Sequence, residues 1–235
     1  MNVLLDLDGT LTDPQEGIIA CIKHALTRLG EPWPSDTELL RYIGPPLQTT
    51  FGAMFGVDSP KIARAIELYR ERFSTTGIFE NKLYPGIPAA LRRLRQLGAM
   101  LTVATSKPTV FAERIIDHFR LGDDIRAVFG SELDGTRSGK TELIAYILKT
   151  QSITPGTTCM VGDREHDIRG AIANKVFAIG ALWGYGSRQE LLDAGAAALC
   201  QRPEDLIDAL SSNSALLTDK PSVAHWRSRS SRPGC

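Results

Sequence analysis

Cysteine is scarce in this chain and poorly spaced. Cys21, Cys159, Cys200 and Cys235 are its four, and no two form a Cys-x-x-Cys pair. That argues against a disulfide framework or a thiolate zinc site and suits a reducing cytosol. Long apolar runs are missing too: no window approaches the roughly 20 residues needed to span a bilayer. There is no excess of either charge, with 27 basic and 27 acidic residues, so neither a nucleic-acid-binding surface nor a polybasic membrane patch is expected. Only Met1 and Asn2 precede the first apolar run, which leaves no room for a secretory leader, and a cytoplasmic location is the expectation. No internal repeat is visible. What remains, 43% hydrophobic and 23% charged over 235 residues, is an ordinary globular composition with enough length to bury a core in one or two domains.

The chain is organised around Val3-Leu4-Leu5-Asp6-Leu7-Asp8-Gly9-Thr10-Leu11-Thr12-Asp13. A short apolar run closed by glycine predicts a buried strand of a parallel sheet. Ligands bind such sheets beyond the carboxyl ends of the strands, where Asp6 and Asp8 would lie. Residues i and i+2 of a strand share a face, so both acids could point into one site. Two carboxylates this close repel, and a divalent cation would hold them ionised; an all-oxygen ligand set beside a phosphate suggests Mg2+.

From Gln15 to about Phe79 the pattern is helical throughout. Ile18, Ile19, Ile22, Ala25, Leu26 and Leu29 recur at helical spacing, Ser35-Asp36-Thr37-Glu38 is a capping box, a helix is expected from Pro46 to Phe55, and Ser59-Pro60 opens one through about Thr75. Beyond Tyr84-Pro85-Gly86, strands and helices alternate. Strands are expected at 100–105, 125–129, 157–161, 176–179 and 196–199, with helices at 87–97, 108–118, 140–149, 165–174, 187–194 and 203–210. This predicts an α/β fold, a Rossmann-like parallel sheet with right-handed crossovers, carrying an inserted all-helical domain. The expected division is a core of residues 1–14 and 82–210, a helical domain over 15–81, and an unstructured serine- and arginine-rich tail over 211–235.

Three further strand ends carry polar groups. Thr105-Ser106-Lys107-Pro108 places hydroxyls before a helix, where they can meet a phosphate or, for Ser106, cap the helix. Gly135-Thr136-Arg137-Ser138-Gly139-Lys140 delivers a lysine to a helix start, unfavourable against the helix dipole unless an anion is near. Asp134 stands where a phosphate-binding loop of the Gly-x-x-x-x-Gly-Lys type needs its first glycine, so that motif is rejected. Gly162-Asp163-Arg164-Glu165-His166-Asp167 sets two acids one helical turn apart, as oxygen ligands for a cation.

Together, Asp6-x-Asp8, Thr105, Lys140 and Gly162-Asp163-x-x-x-Asp167 resemble the four ordered motifs of the haloacid dehalogenase-like hydrolase superfamily. Ile43-Gly44-Pro45-Pro46-Leu47, Tyr84-Pro85-Gly86 and Asp134-Gly135-Thr136-Arg137-Ser138 resemble the branch with phosphoglycolate phosphatases and 5′-nucleotidase-like enzymes, and the helical insert is similar to its cap. The resemblance implies a Mg2+-dependent phosphatase for a small phosphorylated metabolite, acting as a monomer or homodimer without nucleic acid or membrane. By it, Asp6 is the nucleophile and Asp8 the general acid and base, with Lys140 and Thr105 stabilising charge on the phosphoryl oxygens. Ser106 would contact the substrate phosphate. Mg2+ would be held by Asp6, Asp163 and the main-chain carbonyl of Asp8, with Asp167 binding it directly or supporting it from behind another ligand. An acid at position 8 excludes carbon–halogen chemistry within this superfamily. The cap would flex at 12–15 and 81–85, with Arg41 a candidate contact for a substrate anion. Three activities compete with this one: a sugar-phosphate mutase, which would use the same two acids, a phosphotyrosine phosphatase, and a phosphate-binding regulator without turnover. His166 is expected at a surface position on its helix, and Trp183-Gly184-Tyr185-Gly186 either walls the substrate or packs as a loop.

Overall fold

The first apolar run becomes β1 (Asn2–Leu5), with all four residues buried. The structure, a computed structural model, describes residues 1–212. The elements that follow are β2 (Thr12–Asp13), α1 (Gln15–Leu29), α2 (Asp36–Leu39), α3 (Leu47–Phe55), α4 (Lys61–Arg72), β3 (Lys82–Leu83), α5 (Ile87–Gln96), β4 (Met100–Pro108), α6 (Thr109–His118), β5 (Ala127–Ser131), α7 (Lys140–Gln151), β6 (Thr158–Gly162), α8 (Glu165–Ala173), β7 (Phe177–Ala181), α9 (Arg188–Asp193), β8 (Ala198–Cys200) and α10 (Asp205–Ser211). The tail expected from Ser211, with Trp226, lies outside the described residues, except that α10 reaches Ser211.

Six strands form one parallel sheet in the order β5-β4-β1-β6-β7-β8. Asn2 of β1 is in register with Met100 on one side and Thr158 on the other. The chain winds outward in both directions from β1, so the crevice at its carboxyl end is the topological switch point, where such sheets bind ligands. The two-residue period of β1 feeds both faces: Val3 and Leu5 join one buried cluster with α1 and α5, and Leu4 joins the other with α7 and α8. Burial on both faces is why β1 reads as an unbroken apolar run.

The insertion is helical as expected. Ile18, Ile19, Ile22, Ala25 and Leu26 form the buried stripe of α1, which packs on α4, as does α3. The Ser35 capping box forms on both sides. At Ser187 the hydroxyl accepts from the Glu190 N–H, but the Glu190 carboxylate turns to Arg164. After α4 the chain widens into a π-helical turn over Phe73–Gly77. Tyr69 and Phe73 stack with ring centroids 5.4 Å apart, and Phe73 meets Phe111 of α6 edge-on at 5.3 Å, joining insertion to sheet.

Two features depart from expectation. The segments expected to flex pair with one another, Thr12 with Leu83 and Asp13 with Lys82, as a short antiparallel ladder; the Tyr185 hydroxyl donates to Asp13 beside it. And β4, expected to stop at Thr105, continues to Pro108 with a register irregularity after Ala104. The Lys107 N–H donates to Thr105 Oγ1 at 3.2 Å. Ser106 therefore lies inside the strand and caps no helix; α6 starts after Pro108 without a side-chain cap.

Candidate active site

Strand pairing carries one residue past β1, where the Asp6 N–H donates to the Val161 carbonyl at 2.9 Å. This fixes Asp6 beside the end of β6, from which Asp163 follows. Asp6, Asp8, Asp163 and Asp167 are all buried, the last two completely. Lys140, the first residue of α7, extends its ammonium to Asp6 Oδ1 at 2.6 Å, Asp167 Oδ1 at 2.5 Å and the Ala104 carbonyl at 2.8 Å. These are the anions that the lysine's place at a helix start called for. Burial would lower its pKa, but Asp167 and Asp6 outweigh that and hold it above the usual lysine value.

Asp163 is clamped. Thr10 Oγ1 donates to its Oδ1 at 3.1 Å and the Tyr185 N–H to its Oδ2 at 2.9 Å. Gly9 and Gly184 press against it, and a Cβ at either would lie 2.2 or 2.3 Å from its atoms. Asp167 closes the first turn of α8 by accepting the Arg164 N–H at 3.1 Å. It is thus the residue that serves as a cap there, with its other oxygen on Lys140.

Asp6, Asp163 and Asp167 each offer an oxygen, all within 4.8 Å of one another. Four buried carboxylates face two buried ammonium groups, Lys140 and Lys107, an excess of two negative charges. The protein's own groups leave that excess uncompensated. Burial, offset by Lys140 and reinforced by Asp167, pushes Asp6 up to about 7, and burial with Asp167 and Asp6 raises Asp163 well above the carboxylate range. A hard divalent cation fits this donor set in both charge and ligand type.

A consequence concerns protein stripped of metal by EDTA. Asp6, with its folded pKa raised, contributes stability that is full below its unfolded value and is lost as pH rises through about 7. His166, held low chiefly by burial, acts in the opposite sense below about 6.5. Asp163, also raised, acts in the same sense as Asp6, and the opposing effect of His166 fades above pH 6.5, so thermal unfolding in EDTA should show Tm falling from pH 6.5 to 8, with excess Mg2+ abolishing the fall. A Tm that rises over that window would contradict this assignment of charge.

A model of the family described as haloacid dehalogenase-like hydrolase matches residues 3–181. The chain belongs to that family. As a haloacid dehalogenase-like phosphatase, it is a phosphoric monoester hydrolase. It is 47% identical to a 5′-nucleotidase of Pseudomonas aeruginosa, over 81% of this chain and 86% of that one. A solved structure of a predicted phosphatase from Clostridium acetobutylicum superposes with a TM-score of 0.87 at 40% identity, covering 90% and 98% of the two chains. Tyrosine-protein kinase PtkA of Mycobacterium tuberculosis is 38% identical over 81% of this chain, which spans 65% of that protein's length.

In this haloacid dehalogenase-like hydrolase two basic residues matter that sequence reasoning passed over. Lys107 puts its ammonium 2.7 Å from Asp8 Oδ2 and 4.5 Å from the ring centre of Phe73 in the insertion. Arg164 spans Glu190 Oε1 at 2.8 Å and the Ile43 carbonyl at 2.9 Å, tying the insertion's loop to the core. His166 is half-buried rather than exposed, its Nε2 enclosed near Gly44 of that loop. The Trp183 indole donates to the Thr10 carbonyl at 2.9 Å, so with Tyr185 it packs the Gly184 loop against the acids. Thr105 is buried next to Ala104, the Lys140 acceptor, and Ser106 lines a cleft of about 520 Å³ that opens on Asp8. Arg41 is exposed and spends its guanidinium on its neighbour Tyr42, donating to the hydroxyl at 2.7 Å; it is not among the residues lining that cleft.

Proposed function

We propose that the protein is a Mg2+-dependent phosphatase of nucleoside 5′-monophosphates, working through an aspartyl-phosphate on Asp6. The observation that carries this is the pair of acids at the end of β1 with different partners, Asp6 on Lys140 and Asp8 on Lys107. Asp6 attacks phosphorus in line, and the bond to the leaving oxygen breaks as Asp8 gives it a proton. Asp8 then takes a proton from water, whose oxygen attacks the phosphoryl group and frees Asp6. Lys140 orients the nucleophile and, with Thr105 and Ser106, stabilises charge on the phosphoryl oxygens. Asp6, Asp163, Asp167 and the Asp8 carbonyl would hold Mg2+, which offsets the repulsion between Asp6 and the phosphate.

Supporting a nucleotide over a two-carbon phosphate are the roomy cleft, with its aromatic walls Tyr42, Phe73 and Phe111, and the relative named 5′-nucleotidase. Within this proposal residues 1–14 and 82–210 form the core and 15–81 the cap, whose closure excludes water. The buried free thiols Cys21, Cys159 and Cys200 suit a cytoplasmic enzyme.

Phosphate release from nucleoside monophosphates, phosphoglycolate, sugar phosphates and phosphotyrosine tests it. Nucleotides should be the fastest substrates, and EDTA should remove all but about a thousandth of the rate, restored by Mg2+. Turnover of another class alone, or turnover indifferent to EDTA, would overturn the proposal.

A further inference from the structure

The cleft that opens on Asp8 is far larger than a phosphate needs. Its 520 Å³ lies in the range that encloses a drug-sized ligand. Its apolar walls come from Tyr42, Tyr69 and Phe73 of the insertion, faced by Phe111 of α6. Stacked rings of this kind accept the flat face of a heterocycle.

One guanidinium stands among those walls without an internal role. Arg70, in the last turn of α4, lines the cleft. Its Nε is buried and has no hydrogen-bond partner among the described residues. The acids that share the cleft are engaged elsewhere, Asp8 with Lys107, Glu67 with Arg64, Glu132 with Arg137 and Asp134 with the Thr136 N–H. Burial also holds the Arg70 guanidinium below its ordinary pKa, as expected of a cation lacking a counter-charge. A guanidinium that no group among the described residues answers favours an acceptor carried in by a ligand. Lys107, the other cation lining the cleft, is committed to Asp8.

We propose that Arg70 is a specificity-determining residue, its guanidinium donating to a ring carbonyl oxygen of the substrate's nucleobase while the ring lies against the aromatic wall. Guanidinium groups recognise the carbonyl and ring nitrogen on one edge of a 6-oxopurine in this way. The enzyme therefore favours bases bearing a ring carbonyl. This rests on the nucleotide-phosphatase proposal above.

Inosine and adenosine 5′-monophosphates differ at the 6-position, oxo in one and amino in the other, and give a direct test beside ribose 5-phosphate, which has no base. For the wild-type enzyme, kcat/KM for the inosine nucleotide should exceed that for the adenosine nucleotide by about ten-fold or more, the scale of one charged hydrogen bond. In Arg70→Ala that ratio should fall to near one. Arg70→Lys keeps the charge but lacks the planar guanidinium, and should also lose most of the ratio. Because each ratio is taken on one protein preparation, partial misfolding of a variant cancels. A ratio in Arg70→Ala equal to the wild-type value, or a wild-type ratio near one, overturns the Arg70 assignment and leaves the nucleotide proposal standing. Wild-type turnover of ribose 5-phosphate with neither nucleotide hydrolysed overturns both.

Discussion

Asp6→Asn is expected to lose at least about 10⁴-fold in kcat on every substrate the wild type hydrolyses, while staying folded. The amide is nearly isosteric with the carboxylate, and Asp6 is only 3% exposed, so packing around it does not change. Its oxygen can still accept from the Lys140 ammonium, which lies 2.6 Å from Oδ1 in the wild type. What is lost is the proposed nucleophile. Acid quenching during turnover of ³²P-labelled substrate should trap labelled wild-type protein and no labelled variant. The same substitution should raise Tm in EDTA near pH 8, because it removes an acid whose ionisation burial opposes. Residual activity above a few per cent would remove Asp6 from the role of nucleophile. A lower Tm would mean that the ionised carboxylate stabilises the fold.

Lys140→Met should have the largest effect on stability. It takes away the ammonium shared by Asp6, Asp167 and the Ala104 carbonyl, all in a buried site. Removing one side of a buried ion pair costs about 3–5 kcal/mol, since the surviving charge stays desolvated. The loss should be larger at pH 8 than at pH 6, because more of the Asp6 population is then ionised, and Mg2+ should recover part of it by replacing the missing positive charge. Turnover should fall by about 10²- to 10³-fold even when the variant is held folded at low temperature, since charge on the transferring phosphoryl group loses its fixed counterion. Denaturant unfolding at the two pH values, with and without Mg2+, checks this; an unchanged midpoint would show that the acids are compensated in some other way.

Several of these groups are legible in the sequence because each announces itself locally. Asp6 and Asp8 follow an apolar run that needs burial on both faces, and Lys140 sits at a helix start where its charge is unfavourable alone. Lys107 gives no such signal. Its neighbours Ser106 and Pro108 read as the start of a helix, and the reason for its burial, Asp8 on one side and Phe73 on the other, is remote in sequence. Arg164 is hidden for the same reason, its acceptors lying at Ile43 and Glu190. Strand ladders two residues long, such as β2 with β3, leave no periodicity to detect. Arg41 shows the converse: a loop expected near the site does bring Tyr42 to the cleft, but the arginine turns to its neighbour's hydroxyl.

The central place of β1 has a consequence for how the molecule is made. A ribosome emits Val3-Leu4-Leu5 well before the two strands that flank it, which begin at Met100 and Thr158. Throughout that interval this central strand has no lateral partner, and domains fold as units only once their strands are available. The helices of the insertion, local in sequence, can form first and cover part of that surface, since contacts of short range are gained fastest. Asp6 is thus made long before the strands that seat it. Phosphatase activity on a nascent chain would report that residues through Asp167 are out and the sheet is closed.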